Sequence, residues 1–156
     1  MAKKEQTTSA PAASGKITPI KKLTVSTVFG KVLTKDIPDG GELKLCRIAG
    51  FARNIKRGTS DYGDWAAAQG EFAGTNYKTG EIFASATAII PGAMGDMLIQ
   101  SLESALQEDA AATLKFSVDI GAKVSPRDPN KYEYVVRPVI ENALAAPALE
   151  LLRLEG

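Results

Sequence analysis

Leu114-Lys115-Phe116-Ser117-Val118-Asp119-Ile120-Gly121-Ala122-Lys123-Val124 is the plainest strand in the chain. Apolar residues hold every even position, and charged, polar or glycine residues every odd one. One face of an extended segment can therefore be buried while the other stays wet. Upstream the period changes. Met94, Met97, Leu98, Leu102, Ala105 and Leu106 recur at helical spacing through a stretch rich in Leu, Gln, Glu and Ala, which predicts an amphipathic helix over 94–107. Further upstream, residues 65–77 and 81–90 read as two strands joined by Lys78-Thr79-Gly80. A three-residue loop ending in glycine suits a type I turn with Gly80 left-handed in a bulge, and it would set Tyr77 opposite Glu81, Thr75 opposite Phe83, and Glu71 opposite Thr87.

Outward from this centre, residues 43–55 form one more strand, and a cluster of Arg, Lys, Gly, Ser and Asp over 56–64 is expected to connect it to the next. Downstream, the turn-rich 125–130 precedes a last strand over 131–140, and 147–155 suits a short helix with Pro147 in its first turn. Residues 17–33 fit no single period and could supply an edge strand or a short capping helix. Residues 1–15, polar and small, are expected to be a disordered tail, 16–142 the folded domain with an N-terminal extension, and 143–156 a C-terminal helix or tail. Three strands, one helix and two strands is the element order of an all-β, five-stranded OB-fold, a partly open barrel. That fold binds oligonucleotides on the face of its second and third strands and with the loops after its first and fourth. Other small β-barrels share the order.

Composition narrows the functions available. With 156 residues and 44% of them hydrophobic, the chain can build one sizeable core but hardly two. Nineteen basic against eighteen acidic residues leave a net charge of +1, so any case for a polyanionic partner must rest on where the charges sit. The absence of histidine removes the side chain most used for acid–base work near neutral pH, and with a single cysteine, Cys46, no internal disulfide can form. No metal-ligand cluster, phosphate-binding glycine-lysine loop or membrane span is legible. The expectation is a non-enzymatic protein without cofactor or metal, in a reducing cytoplasmic setting and away from membranes.

Sorting the strands by parity places Cys46, Ile48, Gly50 and Ala52 inward on the first, with Arg47, Phe51 and Arg53 outward. Ala66, Ala68 and Phe72 share one face of the second, and Trp65, Gln69 and Glu71 the other. On the third, Ile82, Ala84, Ala86, Ala88 and Ile90 read as inward and Phe83, Ser85 and Thr87 as outward. The outer face would then carry Arg47, Phe51, Arg53, Trp65 and Phe83. Aromatic rings interleaved with arginines are what a single strand of nucleic acid needs, since every base has a π-face and every nucleotide a phosphate. The connection after the first strand adds Lys56, Arg57 and Tyr62, and the one after the fourth adds Lys123, Arg127 and Lys131. The alternative for Phe51, Trp65 and Phe83 is coverage by the N-terminal segment or the end helix. Tyr132 and Tyr134 share a face with Val136 and Ile140 and read as core, and Cys46 as a buried, inert thiol.

Gly50-Phe-Ala-Arg-Asn-Ile-Lys-Arg-Gly58, Tyr62-Gly-Asp-Trp65, Gly70-Glu-Phe72 and Thr79-Gly-Glu-Ile-Phe83 resemble the OB-fold core of bacteriophage-encoded single-stranded DNA-binding proteins, over about residues 43–140. The resemblance implies a protein that coats exposed strands without strong sequence preference during phage replication or recombination, in the bacterial cytoplasm. Replication or recombination proteins and further copies of the chain would be its other partners. Many such proteins end in an acidic tail that recruits enzymes, whereas residues 143–156 carry only Glu150 and Glu155, with Arg153 between them. A rival reading is a phage structural or assembly subunit that uses the same small barrel to contact protein, and an RNA-binding role is a third.

Overall fold

The computed structural model describes residues 16–61 and 63–143, the last three by their backbone alone, and contains the five expected strands, the helix, and one strand more. The expected tail over 1–15, the C-terminal helix over 147–155 and Tyr62 lie outside the described residues. The strands are β1 (Ile17–Pro19), β2 (Leu43–Ser60), β3 (Gly63–Asn76), β4 (Ile82–Pro91), β5 (Thr113–Val124) and β6 (Tyr132–Ala143). Helix α1 (Val25–Val28) follows β1, a 3-10 turn covers Thr34–Asp36, and α2 (Gly95–Glu108) joins β4 to β5. They form a single mostly β unit whose one sheet has the order β1-β4-β3-β2-β5-β6, with β1 parallel to β4 and every other pair antiparallel. The expected count of five strands is thus corrected to six.

The N-terminal segment supplies both structures its sequence left open. After β1 the chain keeps running along β4, with the Ile20 amide donating to Ala84 O at 2.8 Å and the Leu23 amide to Thr87 O at 2.9 Å. Thr24 then caps α1. Its Oγ1 accepts from the Thr27 amide at 3.0 Å, and the Thr27 hydroxyl accepts in return from the Thr24 amide at 2.8 Å. Val25 and Val28 drop into the core.

The expected loop over 56–64 is corrected to a β-ribbon. Lys56, Arg57, Gly58 and Thr59 pair with Ala67, Ala66, Trp65 and Asp64, and the Thr59 hydroxyl donates to Asp64 at 3.0 Å near the tip. β5 pairs with β2 no further than Ala52, so this stretch of β2 has a strand on one side only. Charged side chains stay solvated there and do not stop the strand.

The turn between β3 and β4 has four residues, not three. The Asn76 amide donates to Glu81 O at 2.9 Å, and Asn76 Oδ1 accepts from the Lys78 amide at 2.7 Å. Gly80 is left-handed, at φ 81°, as expected. The extra residue moves the register by one, so Thr75 faces Ile82 and Gly74 faces Phe83, and a bulge between Gln69 and Phe72 shifts it again so that Gln69 faces Thr87. Two expectations are overturned with it. Phe83 points to the core side and packs there, and Ser85, opposite Phe72, is buried with its hydroxyl donating to Lys21 O at 2.9 Å. Ala86, expected inward, is exposed at the bulge.

The core lies between the inner sheet face, α2 and α1. Leu114, Phe116, Val118, Ile120 and Ala122 are buried along β5, as their alternation requires, and meet Leu98 and Leu102 of α2 in one cluster. The rings of Phe72 and Phe116 stand 5.7 Å apart across Gly50, their shared neighbour. A Cβ on Gly50 would come within 2.0 Å of Glu71 O and 2.7 Å of the Phe72 ring. Tyr132 packs against this cluster, whereas Tyr134, expected in the core beside it, is exposed and meets the Tyr132 ring edge-on at 5.5 Å. Cys46 is fully buried, and burial pushes its thiol up to about 12.

Candidate nucleic-acid interface

The sheet face turned away from α2 carries the candidate side chains, and cross-strand register orders them into rows. Gly58, Trp65 and Pro91 form one row across β2, β3 and β4. The next is Lys56, Ala67 and Ile89, and the third is Asn54, Gln69 and Thr87. Trp65, Pro91, Ala67 and Ile89 are each half-buried, and together they give an apolar floor. The Trp65 ring lies over Gly58, since a Cβ there would fall 2.1 Å from its Cζ2. At the border, Asn54 Nδ2 donates to Gln69 Oε1 at 3.4 Å, and Lys56 is exposed with no described carboxylate in ion-pair range. A half-exposed ring beside an exposed ammonium can stack a base and hold its phosphate.

Arg53, displaced by the bulge between Ala52 and Asn54, reaches Glu71 at 3.8 Å from the side of this floor. Arg57 does not join it. One residue on from Lys56, it projects from the opposite face, where its Nε meets Asp96 at the start of α2 at 2.9 Å. Gly95 makes room for this, because a Cβ there would come 2.6 Å from Arg57 Cβ.

Phe51 sits on the outer side of β2 by alternation, opposite Glu71 and Lys115, yet only 2% of it is exposed. It is corrected from a stacking surface to a covered ring. Phe83, turned inward by the register, is likewise no part of this face.

The remaining cations lie towards the other end of β2. Arg47 donates from Nε and Nη2 to Asp119 at 3.0 and 3.4 Å, and the Tyr77 hydroxyl donates to the same carboxylate. Arg47 and then burial set the Asp119 balance, leaving the carboxyl below its usual value, while burial and the bond to Asp119 push the Tyr77 hydroxyl up to about 12. Arg47 is therefore neutralised locally. Beside it Arg137 grips Glu42 with two hydrogen bonds of 2.7 Å, which hold that carboxyl low. Lys123, Arg127 and Lys131 are exposed around the β5–β6 connection, which is shaped by Ser125 Oγ accepting from the Arg127 amide at 3.2 Å and by the Lys131 amide donating to Asp128 O at 3.0 Å. Since Leu43 pairs with Ala122, this loop and the tip of the β2–β3 ribbon stand at opposite ends of β2, roughly 55 Å of strand path apart. The two basic regions expected to flank one groove are separate.

Sequence reasoning passed over Lys16, Lys21 and Lys22, all exposed on the segment that edges β4. Adjacent lysines after an Ile-Thr-Pro-Ile stretch were the available signal. Among the described residues no helix is long and apolar enough to cross a membrane, and no group of three or more His, Cys, Asp or Glu could hold a metal ion.

The chain is 34% identical over 134 residues to the single-stranded DNA-binding protein of Enterobacteria phage PRD1, a match that covers 86% of this chain and 78% of that one. No family model and no solved structure matches it.

Proposed function

The chain belongs to the family of phage single-stranded DNA-binding proteins, and we propose that it binds and coats single-stranded DNA, without strong sequence preference, on the outer face of β2, β3 and β4. The floor of Trp65, Ala67, Ile89 and Pro91 beside Lys56, which has no described carboxylate in ion-pair range, carries this reading. It offers stacking and a phosphate contact and no array of fixed donors and acceptors to read base edges. The strand succession β4-β3-β2-β5-β6, with a helix between β4 and β5, supports an OB-type open barrel to which β1 adds an edge. Lys123, Arg127 and Lys131 would hold a strand that continues past the floor. Replication or recombination in a bacterial cytoplasm is the setting this activity suits.

Trp65 is the only tryptophan, so its emission reports on this face alone. Titration with oligo-dT should quench it, with weaker binding of duplex. Three to five phosphate contacts would give a log–log salt slope of about −2 to −3.5. Stronger binding of oligo-U would make RNA the ligand. No response to any of the three would leave a protein-contacting role for the barrel.

A further inference from the structure

The segment from Lys16 to Leu23 is part of the sheet edge. Ile17, Thr18 and Pro19 pair in parallel with Ile82, Phe83 and Ala84, and Leu23 bridges to Ala88 in the same register. The segment is pinned by Leu23 accepting from the Ile89 amide at 2.8 Å and by Lys21 O accepting from Ser85 Oγ at 2.9 Å. Leu23 turns fully into the core, so Lys22 just before it projects outward, beside Thr87. Lys22 therefore extends the row of Asn54, Gln69 and Thr87 by one position. Lys21 is exposed next to it, and neither lysine has a described carboxylate in ion-pair range. Three inter-strand steps separate this segment from β2, which is roughly 14 Å. Lys56 and Lys22 thus bracket the apolar floor from its two sides.

Building on the function proposed above, we infer that the bound strand crosses the sheet transversely, from Lys56 over Trp65 and Ile89 to a phosphate contact with Lys22. The N-terminal edge segment is then part of the DNA site. A flexible ammonium group suits a phosphate, whose position differs little between sequences, and adds no base preference.

The test compares the full-length parent with Lys22→Ala and with a control of equal charge change, either Lys44→Ala or Lys78→Ala, in oligo-dT titrations read by Trp65 quenching. Lys44 and Lys78 are exposed at the far end of β2 and in the β3–β4 turn. Each phosphate contact contributes about 0.7 to the slope, so the Lys22 variant should have a slope shallower by about 0.7. Between about 50 and 200 mM salt it should lose about 2.6-fold less affinity than the parent, at unchanged maximal quenching. The control should keep the parental slope. Lys22 is exposed, so circular dichroism of the variant should match the parent. A slope equal to the parent's, or a change equal to the control's, overturns the inference while leaving ordinary binding intact. Trp65→Ala removes this reporter, so its binding is followed by the anisotropy of labelled oligo-dT, and affinity equal to the parent's there overturns the site beneath the inference as well.

Discussion

Gly58→Ala tests the outer face without touching a charge or an aromatic ring. Gly58 sits in the β2–β3 ladder opposite Trp65, and an added Cβ would fall 2.1, 2.4 and 2.6 Å from three atoms of the indole. No backbone atom is among its nearest contacts, so the ring, not the strand, must move. Forcing an indole off its rotamer costs about 0.5–1.5 kcal/mol, which in a chain of this size lowers the melting temperature by roughly 2–5 °C. The effect on DNA should be larger. If the displaced ring no longer stacks, the loss is that of the stacking contact, about 1–3 kcal/mol, or about 5- to 150-fold in affinity. Tryptophan emission before and after oligo-dT, with a melt of each protein, reads both quantities. Parental emission and affinity would refute the placement of the ring over Gly58. Wholesale unfolding would mean that Trp65 is a core residue.

Lys56→Ala should weaken oligo-dT binding and flatten the salt slope by about 0.7, whereas Arg57→Ala should leave the slope unchanged and, with its exposed bridge to Asp96 gone, alter stability by at most about 1 kcal/mol. Gly50→Ala sets a Cβ 2.0 Å from the backbone oxygen of Glu71, which cannot step aside, so urea unfolding should show a loss of more than about 3 kcal/mol or no folded protein. Cys46 should resist a thiol reagent at pH 8 until the protein unfolds. Its thiol pKa is raised on folding from 9.0 to about 12, so the unfolded chain releases the proton first. Stability should fall across that window by about 1.4 kcal/mol per pH unit from this group, a component absent in Cys46→Ala.

Alternation made β5 legible because both of its flanks are paired and its even residues all meet α2 or the inner sheet. The same rule failed on β4 through a single residue. Side-chain direction has a period of two, so a four-residue turn in place of a three-residue one reverses the residues between it and the next bulge, and Phe83 changed face while Thr87, Ala88 and Ile90 beyond the bulge did not. Arg57 was separated from Lys56 for a related reason. Once 56–60 is strand, neighbouring cations stand on opposite sides of it, and a basic cluster that reads as one loop becomes one exposed ammonium and one guanidinium spent on Asp96.

Face and exposure are separate properties, and Phe51 and Trp65 show how they part. Both rings stand on the outer side of the sheet, yet Phe51 is covered and Trp65 is half-open. Phe51 lies mid-sheet with a paired strand on either side, opposite Glu71 and Lys115, whose stems can lie over a ring between them. Trp65 has Gly58 and Pro91 as its neighbours, and neither offers a long side chain to cover it. Parity, a property of one strand, assigned both rings to the outer face. What leaves one of them available to a base is the size of the residues that two other strands place beside it. Those neighbours are known only once the register is, and the same dependence hid Lys22. Its position next to Thr87 follows from a parallel pairing that begins with a three-residue strand, too short to leave a period in the sequence.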